Sequence, residues 1–404
     1  MRRSTPRLPA LVSSGLIRSV LTPVAIVRLL LGWGAFLLLQ ALGPVLATPL
    51  PTWLLWALLG GIVVVITACA FGVVTEAEHL ARRLGDPYGT LVLTLSIAGI
   101  EVILIAAVML GPGEHATIAR DSVMAVSMII LNLVIGAALV AGGLRHRRLR
   151  ANRTGVSLYL GMLIALLTVA FALPGLIGDA GSYTPGQAVV MITLTAGLYV
   201  FFLVRQLGAQ RADFQEVQDA APSASALSES GLSASALSAS GAAHPSVAAV
   251  LRRHRAELVA RVILLLALVL PIVLLSQHMA AMLDAGLGAI GAPVALSGIL
   301  IAMIVFLPET ITTIRAALAG EMQRVSNLCH GALVSTAGIT IPAVLTIGLL
   351  TGQPVLLAET PVNLLLLAIT LLLTLTTFTS RRLTALHGAA HLFLFVIYGL
   401  SVFS

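Results

Sequence analysis

The sequence predicts an all-α polytopic membrane protein with about eleven transmembrane helices, and two observations lead to this fold class. Its 404 residues are 58% apolar and only 10% charged, with a mean hydropathy of +1.05, whereas a soluble chain is about 45–50% apolar and about 25% charged. The apolar residues also form unbroken runs of about 20, the length of a membrane-spanning helix. These features exclude a soluble enzyme, a disordered chain and the alternating strands of an outer-membrane barrel.

The apolar runs mark the predicted helices in order. They lie at 24–47, 52–78, 88–111, 120–144, 154–177, 186–206, 258–278, 291–315, 325–350, 354–378 and 383–403. Proline and glycine separate several of them, because these residues favour turns over continued helix; examples are Pro49, Pro51, Pro112, Pro185 and Pro354.

The positive charges support this helix count. All 23 basic residues are arginines, and cytoplasmic loops of membrane proteins are enriched in Arg and Lys. With the N-terminus in the cytoplasm, only Arg120 falls in a segment on the other side, while Arg28 lies near the inner end of the first helix. The chain is therefore predicted to end outside, and its positive charge is read as a topology signal rather than a nucleic-acid site.

A Ser/Ala-rich tract interrupts the apolar pattern between 207 and 256, where residues 223–228 are repeated at 233–238. Such a composition cannot bury a core and predicts a disordered cytoplasmic linker. The domains are then an N-terminal segment with the first helix (1–50), a five-helix repeat (51–206), the linker (207–256) and a second five-helix repeat (257–404). Because five is odd, the two repeats would have inverted topology, an arrangement that places the substrate of many transporters at mid-membrane.

One carboxylate occupies the second helix of each predicted repeat: Glu101 in the first and Glu309, next to Pro308, in the second. A charge at the bilayer centre costs about 2.5–3.5 kcal/mol on insertion scales, so two at matching positions predict a function. Hard cations prefer oxygen ligands. We predict that the two glutamates bind the metal cation or protons in turn, helped by the neutral oxygens of Asn132, Ser335, Thr336, Thr94 and Thr310. The structural alternative is that each glutamate is neutral and caps a neighbouring helix.

Further polar residues end the first helix of each repeat: Glu76, Glu78 and His79 in one, and His278 in the other. We predict that they form vestibules and proton paths to the central site, since histidine changes charge near neutral pH; an interfacial charged helix end is the alternative. His387 and His391 are four residues apart, a zinc-compatible spacing, but no third ligand is visible and packing or interfacial roles are favoured. Cys69 and Cys329 are predicted to be small core residues.

Several segments resemble the calcium/proton exchanger family, and its ChaA-type bacterial branch in particular. The resemblance lies in residues 72–81, 85–91 and Glu101, and in residues 307–310 followed by 316–318. It implies eleven helices with two inverted five-helix repeats, exchange of cytosolic Ca²⁺ for protons, signature carboxylates at Glu101 and Glu309, and vestibule positions at Glu76 and His278. Ile97-Ala98 and Val305-Phe306 stand where the family has Gly-Asn, so the resemblance indicates the ion class rather than the ion.

The sequence thus predicts a proton-coupled cation antiporter of an inner membrane that exports Ca²⁺, Na⁺ or K⁺ and has no cofactor. Its expected partners are inorganic cations, protons and the lipid bilayer, with self-association left open and no nucleic acid. The alternatives are an Na⁺/H⁺ or K⁺/H⁺ antiporter with little Ca²⁺ activity, a membrane-embedded metal-dependent enzyme, and a channel. An enzyme would need a metal or acid/base set that the sequence does not display, and a channel would need no titratable carboxylates at matching depths.

Overall fold

The protein is described by a computed structural model over residues 20–43, 51–84, 116–146, 148–216, 247–292 and 295–403, with isolated positions between 95 and 109. Over these residues the chain is helical, with isolated bridges as its only extended pairs. The predicted all-α class is therefore confirmed. The predicted helix at 88–111, together with Thr94 and Glu101, lies outside the described residues apart from those isolated positions.

Eleven helices are described, in the order of the chain. We label them α1 Pro23–Ala41, α2 Thr52–Leu84, α3 Ile118–Arg145, α4 Arg153–Ile177, α5 Pro185–Leu207, α6 Val247–Ala289, α7 Ala295–Val305, α8 Leu307–Ala319, α9 Met322–Thr351, α10 Pro361–Thr379 and α11 Ala385–Ser401. Within the described part of the chain, eight helices are long and apolar enough to span a membrane, and α11 is a shorter apolar helix.

Local sequence signals explain where these helices begin and end. Thr22, Asn152 and Thr360 accept backbone N–H groups at the starts of α1, α4 and α10, as good N-cap residues do. Gly320 and Gly352 have φ values of +86° and +69° directly after α8 and α9, a backbone conformation that favours glycine at a helix end.

The centre of the bundle is formed by α3 and α9, the two most deeply buried of the long helices. They pack on each other, and both contain a π-helical segment, Ile129–Val134 in α3 and Asn327–Gly331 in α9; α4 contains a third, Thr168–Ala172. Around them α2 packs along α6, α5 along α9, and α11 along the end of α3. π-segments often occur near functional sites because they redirect side chains within a helix, so this pair directs attention to the bundle centre.

Non-helical segments tie the first half of the chain to the second at both ends of the bundle. At the end that carries Arg145–Arg153 and residues 380–384, which we call the arginine-rich end, Leu149 and Leu383 form an antiparallel bridge. At the opposite end the amide of Leu356 donates to the carbonyl of Ala116.

The structure differs from the predicted linker, residues 207–256, at both of its ends. Arg211–Phe214 form a 3₁₀ turn whose Phe214 is buried against Tyr159, and helix α6 already begins at Val247. The ring of Phe214 buries apolar surface and so anchors this part of the chain. The average composition of residues 207–256, which is polar, does not reveal this single contribution. The Ser/Ala repeats at 223–238 lie outside the described residues.

Two predicted helices also differ. Residues 353–360 form an irregular segment rather than the start of a helix, because Pro361 is the first residue of α10 and Thr360 caps it. The predicted helix 291–315 is divided at Phe306 into α7 and α8, since Pro308 has no N–H to continue the ladder. Cys69 and Cys329 are buried and unpaired with each other, as predicted.

Candidate functional site

Glu309 lies at the break between α7 and α8, near the middle of this two-part helix. Its side chain is half-buried overall, yet the Oε2 atom is fully buried and has no hydrogen-bond partner among the described residues. A buried polar atom without a partner carries a desolvation cost of about 1–3 kcal/mol, and more when charged. Such an atom is therefore suited to a ligand that compensates it, either a proton or a cation.

Two threonines next to Glu309 orient their hydroxyl groups toward their own helix. Thr310 Oγ1 donates to the carbonyl of Phe306 at 2.8 Å, and Thr312 Oγ1 donates to the carbonyl of Pro308 at 3.0 Å. Because each hydroxyl hydrogen is used in this way, the oxygen lone pairs remain free to accept. The predicted ligand Thr310 is thus adjacent to Glu309 and presents acceptor capacity.

The face of α8 that carries Glu309 is turned toward α9. Thr313, one helical turn after Glu309, lies 3.9 Å from Cys329 Sγ in the π-segment of α9. Residues four apart share a helix face, so Glu309 projects from the same side of α8 one turn earlier. The unpaired carboxylate therefore lies on the side of α8 that faces the most buried part of the bundle.

The other predicted ligands are distributed over the bundle. The predicted partner carboxylate Glu101 and the predicted ligand Thr94 lie outside the described residues, so the pairing of Glu101 with Glu309 stays a prediction. Thr336 is fully buried in α9. Ser335 accepts a hydrogen bond of 3.0 Å from the Tyr199 hydroxyl, which directs it toward α5.

Asn132 lies in the π-segment of α3 and is fully buried, but its amide group contacts α10 and α11. Its Nδ2 donates to Thr370 Oγ1 at 2.9 Å, and its Oδ1 lies 3.3 Å from His391 Nδ1. The other ring nitrogen of His391 lies 3.3 Å from Thr377 Oγ1. The described contacts of Asn132 thus join the first half of the chain to the second rather than meeting Glu309.

Glu76, predicted as a vestibule acid, forms a buried ion pair instead of lining an open path with its carboxylate free. Arg261 Nη1 of α6 donates to Glu76 Oε2 at 2.7 Å, and Arg261 Nε donates to Glu257 Oε1 at 3.2 Å. All three side chains are about nine-tenths buried or more. Burial without a partner would cost several kcal/mol per charge, so the pairing explains how these charges are accommodated.

The remaining vestibule residues lie on the same two helices. Glu78 and His79 are half-buried on α2, close to Glu76 in sequence. His278 of α6 is half-buried, and its Nδ1 lies 3.2 Å from the carbonyl of Leu274 one turn earlier. The role of these three residues in a proton path to Glu309 stays a prediction.

Sequence reasoning missed the ion-pair partner Arg261 and a buried histidine, His330. A signal for Arg261 was available, since Glu257 and Arg261 have the i,i+4 spacing of a helical ion pair. His330 is fully buried between Tyr159 and Phe378; its Nδ1 lies 2.9 Å from Ser326 Oγ, and its Nε2 has no described hydrogen-bond partner. Nothing in its sequence context distinguishes it from a packing histidine.

The predicted zinc-compatible pair, His387 and His391, has two separate roles. His387 Nδ1 accepts the backbone N–H of Thr384 and caps α11, whereas His391 belongs to the buried network of Asn132. Among the described residues no group of three His, Cys, Asp or Glu side chains could hold a metal ion.

Long apolar helices around the central pair α3 and α9 define a multi-pass membrane protein, and Glu309 places an uncompensated carboxylate oxygen at a helix break within it. The comparison with known families specifies the class. The profile of the family described as "Sodium/calcium exchanger protein" matches residues 53–208 and 260–403, so the chain belongs to this family of exchangers, which are transporters and not enzymes.

Curated relatives agree with this assignment. The chain is 34% identical over 336 residues to the "Putative ionic transporter y4hA" of Sinorhizobium fredii, covering 82% of this chain and 85% of the relative. It is 30% identical over 387 residues to the "Sodium-potassium/proton antiporter ChaA" of Escherichia coli, covering 96% of each chain.

Solved structures share the fold. Native YfkE superposes with a TM-score of 0.63 at 19% identity, covering 93% of this chain and 99% of that one. The H⁺/Ca²⁺ exchanger CAX superposes with a TM-score of 0.59 at 15% identity, covering 94% of this chain and 89% of that one. The resemblance to calcium/proton exchangers expected from the sequence is confirmed at the level of family and fold.

Proposed function

We propose that the protein is a proton-coupled cation antiporter in which Glu309 binds the transported cation or a proton in turn. The single observation that carries this proposal is the buried Oε2 of Glu309, which has no partner among the described residues and lies at a helix break. A proton and a metal cation would each compensate this oxygen, and they exclude each other. Mutually exclusive occupancy of one carboxylate couples the two fluxes.

The surroundings of Glu309 support a hard cation as the second occupant. Carboxylate and hydroxyl oxygens, here Glu309 and Thr310, are the ligands that Ca²⁺, Na⁺ and K⁺ use in proteins. Glu101 would complete the site as the second signature carboxylate. The relatives' names mention sodium, potassium and protons in one case and Ca²⁺ and H⁺ in others, so the three cations are all candidate substrates.

The mechanism we propose is alternating access about a mid-membrane site, with residues 51–206 and 257–404 as two five-helix repeats of inverted topology. The protein would lie in an inner membrane, with its N-terminus and its arginine-rich end in the cytoplasm and its C-terminus outside. Protons entering down their gradient would displace the cation from Glu309 and Glu101 on the outer side. Deprotonation on the cytoplasmic side would restore the carboxylates.

The test uses everted membrane vesicles that contain the protein and a fluorescent dye reporting the proton gradient. Addition of CaCl₂, NaCl or KCl should dissipate the gradient for each transported cation, and Glu309→Gln should abolish the response to all of them. Glu321→Gln is the matched control, because Glu321 is exposed and pairs with Arg324 at the surface. A normal response in a well-inserted Glu309→Gln protein, or cation flux independent of the proton gradient, would contradict the antiporter.

A further inference from the structure

The arginine-rich end contains a cavity of about 520 Å³ that the transport proposal does not use. We call it the arginine cavity and define it by the residues that carry its chemistry: Arg150, Asn152, Arg153, Thr154, Phe378 and Arg381. Its walls come from the segment that precedes α4 and from the segment between α10 and α11. The cavity therefore lies between the first and second halves of the chain.

Three arginines give the cavity a strong positive charge. Arg150, Arg153 and Arg381 are among the residues that line it, and none of them forms an ion pair with a carboxylate among the described residues. Other exposed arginines, such as Arg145 and Arg382, also have no ion pair among the described residues, but they do not line this cavity. A cluster of uncompensated guanidinium groups around one cavity is a favourable environment for an anion, and arginine binds phosphate oxygens through two parallel hydrogen bonds.

The backbone adds to this preference. Helix α4 begins at Arg153, inside the cavity wall, and Asn152 caps it by accepting the amides of Thr154 and Gly155 at 3.1 and 3.4 Å. The positive end of the helix dipole thus lies beside the three arginines. Both contributions favour a negatively charged group over a neutral one.

The cavity lies beside apolar helix surfaces. Phe378 is one of its lining residues, and its two neighbouring helices, α4 and α10, pack side by side. Both helices carry exposed apolar side chains along their spans, among them Ile164, Leu372 and Leu375. A ligand with a charged phosphate and an apolar tail matches this combination, whereas a free inorganic anion would use only the charged part.

We propose that the arginine cavity binds the phosphate of an anionic phospholipid, with Arg150, Arg153 and Arg381 donating to the phosphate oxygens and the acyl chains lying along α4 and α10. Basic pockets between transmembrane helices bind such headgroups in membrane proteins. Because Leu149 and Leu383 bridge the two halves beside the cavity, a bound lipid contacts both halves and stabilises their junction. This inference does not depend on which cation is transported.

The test is a lipid titration of the purified full-length protein in detergent, followed by its thermal unfolding midpoint. Phosphatidylglycerol should raise the midpoint in a saturable manner, and phosphatidylcholine should not. Each arginine near a membrane surface contributes about 1 kcal/mol to binding of anionic lipid, which corresponds to roughly a fivefold change in affinity. Arg150→Gln with Arg381→Gln should therefore weaken the apparent affinity for phosphatidylglycerol by about 25-fold.

Two further variants separate the cavity from general surface charge. Arg145→Gln with Arg382→Gln removes the same charge from exposed arginines that do not line the cavity, and it should leave the affinity within about twofold of the wild-type value. Thr154→Trp keeps every charge but fills the cavity, and it should abolish saturable stabilisation.

Three outcomes would overturn the proposal: equal stabilisation by phosphatidylcholine, equal loss of affinity in the control pair, or an unchanged response in Thr154→Trp. Inorganic phosphate provides the last distinction. If it stabilises the protein as well as phosphatidylglycerol does at equal concentration, the site binds free anions and the lipid is not its ligand.

Discussion

Glu76 and Glu309 are both acidic side chains inside apolar helices, but only one of the two carboxylates has all its buried oxygens compensated by described residues. Glu76 on α2 receives a 2.7 Å hydrogen bond from Arg261 on α6, and Arg261 also pairs with Glu257. Glu309 has a buried carboxylate oxygen without a partner among the described residues. The carboxylate of Glu76 is compensated by a residue of the protein, whereas Oε2 of Glu309 is not compensated by any described residue.

The difference distinguishes a carboxylate that joins two helices, Glu76, from one that is proposed to bind an ion, Glu309. A buried ion pair that loses one partner leaves an uncompensated charge, so it resists rearrangement. An unpaired carboxylate exchanges its occupant without breaking contacts between helices. The comparison therefore assigns the region around Arg261 to the junction of α2 with α6, and it motivates the proposed role of Glu309 in ion binding.

The largest expected effect separates transport from stability at the two glutamates. Glu309→Gln should abolish proton-coupled cation transport, because it removes the exchangeable proton together with a charge-assisted contact worth about 1.5–3 kcal/mol, and it should leave thermal stability unchanged or higher. Glu76→Gln should lower stability. Transport in vesicles and unfolding midpoints of the purified variants measure both quantities. Loss of stability in Glu309→Gln equal to that in Glu76→Gln would remove the distinction.

A second prediction concerns Arg261 itself. Arg261→Met should destabilise the protein by about 3–5 kcal/mol, because it removes the described cationic partner of the buried Glu76 carboxylate. Glu76→Gln combined with Arg261→Met should recover part of the loss, since the charge of Glu76 is removed as well. Chemical denaturation monitored by tryptophan fluorescence provides the measurement.

Arg324→Met is the control for this pair, because Arg324 and its partner Glu321 are both about half exposed. Exposed pairs contribute about 0–1 kcal/mol. A similar cost for Arg261→Met and Arg324→Met would show that the buried pair is not coupled to the packing of α2 on α6.

A smaller effect is expected at the histidines. His391→Leu should cost about 1–3 kcal/mol, because it leaves buried polar atoms of Asn132 and Thr377 without a partner. His278→Leu should cost less, since the described hydrogen bond of His278 goes to its own helix. Unfolding midpoints of the two variants measure the difference, and equal midpoints would show that the network does not contribute to stability.

The smallest expected effect is a pH dependence at Glu359, in the irregular segment before α10. Burial raises the pKa of Glu359, while Asn363, the Thr360 amide and Arg120 act against this and Asp121 adds to it. The folded protein therefore binds the proton more tightly than the unfolded chain does, so stability should fall as pH rises from the ordinary carboxyl pKa to the raised one. Glu359→Gln should flatten this slope in unfolding midpoints measured against pH. A slope that persists in this variant would assign it to another group.

The sequence predicted the spans well because a bilayer imposes length and hydrophobicity on each helix separately. The break at Phe306 was not predicted, although Pro308 follows it, because a proline alone does not decide whether a helix breaks: Pro271 and Pro342 lie inside continuous helices. The length of α6 was underestimated: its first residues include Arg252, Arg253 and Arg255, which end an apolar run but do not end a helix. The edges of the predicted linker failed for the same reason, because composition measures burial rather than backbone conformation.

The residues of the predicted site were also only partly placed by the sequence. Glu309 and Thr310 lie together because they are neighbours in one helix. Asn132, Ser335 and Glu76 acquired their partners from other helices, and no spacing within the sequence contains that information. A residue type shows that a polar group needs a partner, whereas the identity of the partner depends on which helices meet.

What the sequence determined by itself is the membrane class, the positions of most spans and the presence of carboxylates where lipid would otherwise penalise them. These are properties of short stretches of chain, each in contact with the bilayer. The tertiary structure alone decided which carboxylate is paired and which is free, and which arginines gather around one cavity. Those outcomes depend on contacts between helices far apart in sequence, and packing selects them after each helix has formed.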